Sequence, residues 1–345
     1  VENERTKLGT LFLHMTDGVV AFDPQGEVIH SNPAAEEMLA KAIPIGGAVK
    51  YDTLFSKIVP LNEVMASEQD CIEGEMRRDD RHLLLLLAPF NREKQVGILV
   101  VIHDITQQTK TEELRREFVA NVSHELRTPL TNIRSYAETL ADNPGLPEET
   151  EQNFLSVILN ESDRMTRIVQ DLLTLSRFDS GHGEMSFTEF PFESILEDLH
   201  RAFLLEARRH GHDFTLRIEE PLPEICADRE RILQVMMNIV SNAIKYTPDH
   251  GEIVIAAGKG TDLVWMEVRD NGIGIPKEDR GRIFERFYRV DKARSRESGG
   301  TGLGLSIAKE IVDRHHGMLC LVERDGPGIT VRMELPLKGT SNETA

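Results

Sequence analysis

Along the first hundred residues, short apolar runs alternate with turn chemistry. Gly18 to Phe22 is apolar, Asp23-Pro24-Gln25-Gly26 is a turn, and Val28-Ile29-His30-Ser31-Asn32 resumes an extended pattern. Two strands joined by a Pro/Gly turn are therefore expected. Ala34 to Leu39 reads as a short helix, and the runs Leu83 to Pro89 and Val96 to His103 read as two further strands. Together these predict an α+β module.

From Thr106 to about Asn143 the character changes. Apolar residues recur at Leu114, Phe118, Val122, Leu126, Leu130, Ile133, Ala137 and Leu140, spacings of three and four that trace one helical stripe. Asn143-Pro144-Gly145-Leu146-Pro147 breaks the pattern. A second helix is expected from about Glu148 to Phe178, through Phe154, Val157, Ile158, Met165, Ile168, Leu172 and Leu175. Two helices bury such stripes less well than four, so a homodimer closing a four-helix bundle is the natural solution. Asp179 to Met185, with Gly181 and Gly183, reads as a linker. Beyond it, strands are expected at Phe214 to Ile218, Gly251 to Ala257, Leu263 to Asp270, Gly317 to Arg324 and Gly328 to Leu335, interleaved irregularly with helices. That irregularity favours an α/β sandwich with helices on one sheet face over a doubly wound parallel sheet. Gly339 to Ala345 reads as a disordered tail.

Composition narrows the partners. The 345 residues exceed what one core organises, which agrees with several domains. A formal net charge of -18 repels a polyanion, so no direct nucleic-acid partner is expected. No apolar run approaches the roughly 20 residues a membrane helix needs. Val1, where a chain would begin with Met, suggests a processed or truncated sequence whose membrane portion would lie upstream. Cys71, Cys226 and Cys320 fit no metal-ligand spacing and are expected to be buried thiols in a reducing compartment.

Two constellations carry chemistry. The first is Phe118-Val-Ala-Asn-Val-Ser-His124-Glu125-Leu-Arg127-Thr128-Pro129-Leu130. At about 100° per residue, His124 lies roughly 200° from Val122, away from the apolar stripe. An imidazole there has a free nitrogen that can attack phosphorus, and Glu125 can accept a proton or orient the ring. Pro129 removes a helical N–H, so a local bend after the histidine is expected.

The second constellation begins in the stretch from Arg231 to Pro248. Asn238, Asn242 and Lys245 share one helical face, while Ile232, Met236, Ile239 and Ala243 share another. Alone, this reads as an amphipathic helix with solvated amides. Asp270-Asn-Gly272-Ile-Gly274-Ile275 then ends a strand with an acid and two glycines that permit close backbone approach. Ile283-Phe-Glu-Arg286-Phe287-Tyr-Arg289 precedes Gly299-Gly300-Thr301-Gly302-Leu303-Gly304-Leu305, which opens an amphipathic helix. Backbone N–H groups at such a start suit phosphate oxygens. Between them lie Lys292, Arg294 and Arg296, a candidate lid over a triphosphate or simply a solvated charged loop.

The string around His124 closely resembles the phosphoacceptor box of histidine kinases, including its His-Glu-Leu-Arg-Thr-Pro core. By that resemblance His124 is phosphorylated, Glu125 assists transfer, and Thr128 helps place water for dephosphorylating the partner. The later motifs, in this order, resemble the N, G1, F and G2 boxes of the GHKL-type ATPase fold shared by histidine kinases, gyrase, Hsp90 chaperones and mismatch-repair ATPases. In that fold Asn242 would coordinate Mg²⁺, and Asn238 stands where ATP-hydrolysing relatives carry a glutamate. An amide cannot deprotonate water, so ATP would be held with its γ-phosphate kept for the histidine. The resemblance further implies that Lys245 and Arg289 meet phosphates, Tyr246 flanks the nucleotide, and Asp270 binds adenine, with Gly272, Gly274, Ile275, Arg286, Phe287, Lys292 and Gly300 to Leu305 lining the site.

Residues 8 to 106 resemble a PAS domain in their order of elements and in the Asp104-Ile105-Thr106 exit. The whole resembles membrane sensor histidine kinases of the WalK and PhoR type. The implied protein is a multidomain α+β chain: a PAS-like module at 1–106, a dimeric phosphotransfer helical hairpin at 107–180, an ATP-binding α/β sandwich at 187–338, and a tail at 339–345. Its implied cofactors are ATP and Mg²⁺, and its partners a second copy and a response-regulator receiver domain, which the kinase would phosphorylate on aspartate and also dephosphorylate. Its implied place is the cytoplasmic portion of a cell-membrane sensor. Two rivals differ in class. A chaperone-like ATPase would want glutamate at 238 and no histidine box; a mere ligand or metal module would lean on His14, His30, His82 and His103, which show no ligand spacing.

Overall fold

The structure, a computed structural model, describes residues 10–47, 49–67, 69–92, 95–180, 185–219, 221–290, 300–324 and 326–337. The chain divides into two compact units between Glu117 and Phe118.

In the first unit, strands β1 (Gly18–Phe22), β2 (Val28–Ser31), β3 (Ile72–Arg78), β4 (Arg81–Arg92) and β5 (Gln95–Asp104) form one antiparallel sheet in the order β2-β1-β5-β4-β3. Helices α1 (Pro33–Met38), α2 (Tyr51–Leu54) and α3 (Leu61–Ala66) fall between β2 and β3 in the chain. The Asn32 side-chain Oδ1 accepts from the Ala35 N–H at 3.1 Å and the Val19 N–H at 2.8 Å, so one carboxamide caps α1 and ties it to β1. In β4, Leu83, Leu85 and Leu87 are fully buried while Leu84 and Leu86 are half-buried, the two-residue period of a strand. Phe22 meets Tyr51 and Phe55 edge-on at 5.3 and 6.0 Å. Burial, with the nearby Asp52 and Glu63 carboxylates, pushes the Tyr51 phenol up to about 12, and its hydroxyl donates to the Val59 carbonyl at 2.8 Å.

The second unit opens on two long helices, α4 (Thr106–Asp142, from Phe118 onward in this unit) and α5 (Glu148–Asp179). Both match their expected spans. Helix α4 runs uninterrupted through the buried Pro129. The acidic first turn of α5, Glu148, Glu149 and Glu151, complements the helix dipole. Tyr136 packs on Phe154 at 5.1 Å across the hairpin. The apolar stripes are wider than one hairpin covers: Ile168 and Leu175 are buried, whereas Leu130, Leu159 and Leu173 are 57, 65 and 55% exposed.

Helices α6 (Phe192–Arg209), α7 (Arg229–Tyr246) and α8 (Gly304–Arg314) follow, with strands β6 (Thr188–Pro191), β7 (Asp213–Ile218), β8 (Glu224–Ala227), β9 (Glu252–Lys259), β10 (Leu263–Asp270), β11 (Met318–Leu321) and β12 (Thr330–Pro336). The main sheet is ordered β11-β12-β10-β9-β7; only β7 and β9 run parallel. Leu196, Val240, Ile255, Met266, Ile307 and Met333 share one core, so the three helices cover one sheet face, as the sandwich reading requires. Three strands escaped the sequence pattern: β3, β6 and β8. Strand β11 is shorter than Gly317 to Arg324.

The expectation of buried cysteines is corrected: Cys71 is exposed just before β3, and Cys226 and Cys320 are half-buried, at strand positions next to the buried Ile225 and Ala227 of β8 and Leu319 of β11. Among the described residues, no helix is long and apolar enough to cross a membrane. Most of the Asp179 to Met185 linker, Lys292 and the lid segment 291–299, and the tail lie outside the described residues.

Candidate active site

Asp228 starts α7 by accepting from the Arg231 N–H at 3.1 Å. From that start, the helix buries Ile232, Met236, Ile239 and Ala243 in the core and leaves Asn238, Asn242 and Lys245 half-buried on its other side. The Asn238 amide donates to the Gly304 carbonyl at 3.1 Å, joining α7 to the first turn of α8. Burial, together with the charges of Arg289, Arg164 and Arg167, pushes the Lys245 ammonium down to about 8. Its nitrogen lies 5.1 Å from the centroid of the Tyr246 ring.

Asp270 ends β10 buried. Its carboxylate accepts from the Gly272 N–H at 2.9 Å and the Ile329 N–H at 3.3 Å; burial pushes its carboxyl up against the pull of these bonds and of Arg324. Gly272 leaves no room for a side chain, since a Cβ there would stand 2.5 Å from the Tyr246 carbonyl oxygen. This packs the turn containing Gly274 and Ile275 against the end of α7.

The glycine-rich entry to α8 is anchored by Leu303, which is fully buried, with Leu305 packed against the same core. Gly302 sits at φ +73°, where a Cβ would also meet the Phe287 backbone at 2.9 Å. The Phe287 N–H donates to the Gly302 carbonyl at 2.9 Å. The Thr301 hydroxyl donates to Asp171 on α5 at 3.3 Å and accepts from the Leu303 N–H at 3.2 Å. Burial pushes the Asp171 carboxyl up to about 6.

The segment around Phe287 touches the helical hairpin. Phe287 and Phe118 lie 5.6 Å apart, and Arg286 is bidentate to Asp179. Arg289 donates to the Gly300 carbonyl and, at 3.1 Å, to Glu125. Glu125 also takes Arg164 at 3.0 Å. Beside it His124 is exposed, and the Thr128 hydroxyl donates back to the His124 carbonyl at 3.3 Å. The structure thus brings Glu125, Lys245, Arg289 and Gly300 to one place and sets Arg286 on Asp179. Arg164, Asp171 and Asp179 were not legible as site residues.

Residues 114–181 match the His Kinase A (phospho-acceptor) domain, and residues 227–339 the histidine kinase-, DNA gyrase B- and HSP90-like ATPase domain. The chain is 39% identical over 349 residues to sensor histidine kinase WalK of Bacillus subtilis, covering 98% of this chain and 56% of that protein. It is 35% identical over 353 residues to a sensor protein kinase WalK of Staphylococcus aureus, covering 97% of this chain and 82% of that one. The chain therefore belongs to the sensor histidine kinase family, of the WalK type. It spans 56% of the length of the first of these relatives. In fold it resembles histidine kinase ThkA, solved in complex with response regulator protein TrrA, with a TM-score of 0.54 and 24% identity over 93% of this chain and 95% of that one. It also resembles histidine kinase AdeS of Acinetobacter baumannii, with a TM-score of 0.52 and 24% identity over 62% of this chain and 98% of that one.

Proposed function

We propose that the chain phosphorylates its own His124 from Mg-ATP and passes the phosphoryl group to an aspartate of a response-regulator receiver domain. The observation that carries this is the ion pair between Glu125, next to the exposed His124, and Arg289, next to the glycine-rich turn. It joins the acceptor helix to the nucleotide-binding half. In the transfer, one ring nitrogen of His124 forms the N–P bond while the bond from the γ-phosphorus to its bridging oxygen breaks and its electron pair leaves with ADP. Glu125 takes the proton from the other ring nitrogen. Lys245 and Arg289 hold phosphate oxygens, Tyr246 flanks the nucleotide, and Asp270 receives the adenine amine. Gly272, Gly274 and Ile275 shape the base side; Gly300 to Leu305 shape the phosphate side, with Arg286 and Phe287 bordering it.

Asn242 offers a carboxamide oxygen, a hard neutral ligand of the kind Mg²⁺ accepts, on the same side of α7 as Lys245. Mg²⁺ held by Asn242 would supply neutralisation of phosphate charge. Asn238 supplies no base for water, so hydrolysis is slow and the γ-phosphate waits for the histidine.

The domains read as 1–106, 107–180 and 187–338. The sheet order of the first unit supports a PAS-like sensor module, and the uncovered Leu130, Leu159 and Leu173 support a dimeric four-helix bundle. ThkA's response-regulator complex supports the same class of partner, and Thr128 would place water for dephosphorylating it. The test is incubation with γ-labelled Mg-ATP. Acid-labile, alkali-stable label on the wild type that disappears in His124→Gln is expected; an unlabelled wild type that still binds ATP would overturn the reading.

A further inference from the structure

Glu125 is gripped from two sides. Arg164 donates to one carboxylate oxygen and Arg289 to the other, at 3.0 and 3.1 Å. Arg164 belongs to α5, and its side chain is only 8% exposed. Its other acidic neighbour, Glu161, is 3.9 Å away and already receives the Asn132 amide at 2.8 Å, a bond that by itself fastens α4 to α5.

A guanidinium buried at such a seam is a poor source of stability, since desolvating it offsets the attraction of its partners and an apolar residue would fill the space as well. Arg164 reaches Glu125 through one Nη2 bond, and a donor fixed in a rigid planar guanidinium supplies orientation that an apolar residue cannot. The two arginines also differ in what they travel with. Arg289 stands beside the phosphate-binding turn, so a triphosphate and Glu125 compete for it. Arg164 shares the hairpin with His124 and stays with it when the nucleotide-binding part shifts.

We infer that Arg164 is a positioning residue for histidine phosphorylation: it fixes the Glu125 carboxylate against the His124 ring after Arg289 has gone to the nucleotide. The inference rests on the functional reading above. With Arg164 in place, Glu125 remains an oriented proton acceptor throughout the transfer; without it, the carboxylate swings free between turns of contact with Arg289.

The experiment is a double-mutant cycle on the full chain: wild type, Arg164→Met, Glu125→Gln and the double variant, read as initial rate of acid-labile label from γ-labelled Mg-ATP. Fluorescent ATP-analogue affinity and thermal melting are measured on each protein. Misplacing a catalytic group by about an ångström costs roughly 100-fold, so Arg164→Met should slow labelling by that order with analogue affinity unchanged within about twofold. In the Glu125→Gln background the same change should cost less than about twofold. Arg164→Lys, which keeps the charge and the packing stem but lacks the rigid planar donor, should show the same dependence on Glu125 and serves if the methionine variant does not fold. Losses that add, or that track analogue affinity or melting temperature, overturn the inference while leaving a labelled His124 intact. A wild type that binds ATP without labelling His124 overturns the functional reading and this inference together.

Discussion

Arg286 and Asp179 meet as a fork on a carboxylate, Nη1 on Oδ2 at 2.8 Å and Nη2 on Oδ1 at 2.6 Å, across 107 positions of chain. The pair ties the Arg286 segment to the last turn of α5. The two side chains are 36 and 54% exposed, which limits the pair to about 0.5–1 kcal/mol. That energy corresponds to a factor of about two to five. Asp179→Asn should therefore speed amide exchange in residues 283–290 by that factor, and high salt should bring the wild type toward the variant. Arg286 holds the Asp179 carboxyl below the usual range, so its contribution is full above that range and is lost as pH falls through the lowered value. Exchange rates indifferent to both the substitution and salt would show that the pair carries no weight.

Lys245 gives the nucleotide site a pH dependence. Its ammonium loses its proton near pH 8, and with it an attraction for the triphosphate, so ATP affinity should decline as pH rises through about 8. Bound phosphate favours the charged form, so binding at that pH should take up protons, visible by calorimetry in buffers of different ionisation heat. For stability the sign is opposite. The unfolded chain binds the extra proton between about 8 and its ordinary value, and stability rises with pH across that window. Lys245→Met should weaken ATP binding about 10- to 100-fold and flatten the profile, as expected for losing a hydrogen bond to a charged group. A profile that stays steep in the variant would assign the titration elsewhere.

Asn238 contributes a donor that its nearest isostere lacks. Asn238→Asp would set a carboxylate oxygen against the Gly304 carbonyl, where the amide now donates at 3.1 Å. The lost bond and the new repulsion should loosen the start of α8 and cost about 1–3 kcal/mol, or roughly 5- to 150-fold in ATP affinity. Titration with a fluorescent ATP analogue checks this. Unchanged affinity would mean that the α7 to α8 link does not shape the phosphate side.

The long helices were legible because their periods repeat many times: α4 and α5 hold three- and four-residue spacings over 37 and 32 residues. The exposure of His124 followed from the same geometry. Strands β6 and β8, four residues each, offer too few alternations to stand out, and β3 spends its inward positions on Ile72, Gly74 and Met76 between charges. The charged partners of the site were illegible for a different reason. Arg164 and Asp171 look like the solvated face of α5, and only the fold brings them to Glu125, 39 positions earlier, and Thr301, 130 positions later. Periodicity predicts which face of a helix is apolar; it does not say which polar residues on the other face will find a distant partner.

Asp171 makes the contact between α5 and the turn before α8 sensitive to pH. Burial raises its carboxyl to about 6, the bond from the Thr301 hydroxyl pulling weakly the other way. An acid whose folded pKa is raised contributes stability that is full below its unfolded value and lost as pH rises through about 6. Above that pH the folded protein holds an ionised, poorly solvated carboxylate at the contact between α5 and the turn before α8. Asp171→Asn fixes the neutral form and keeps an oxygen to receive Thr301, so it should melt higher than wild type at pH 7 to 8, by about 2–4 °C for each kcal/mol recovered. The gap should close as pH falls below about 5, where the wild-type carboxyl is itself protonated. Melting curves from pH 4.5 to 8 decide it: a variant no more stable than wild type at pH 8, or a gap that widens toward acid, would show that this carboxyl ionises without cost.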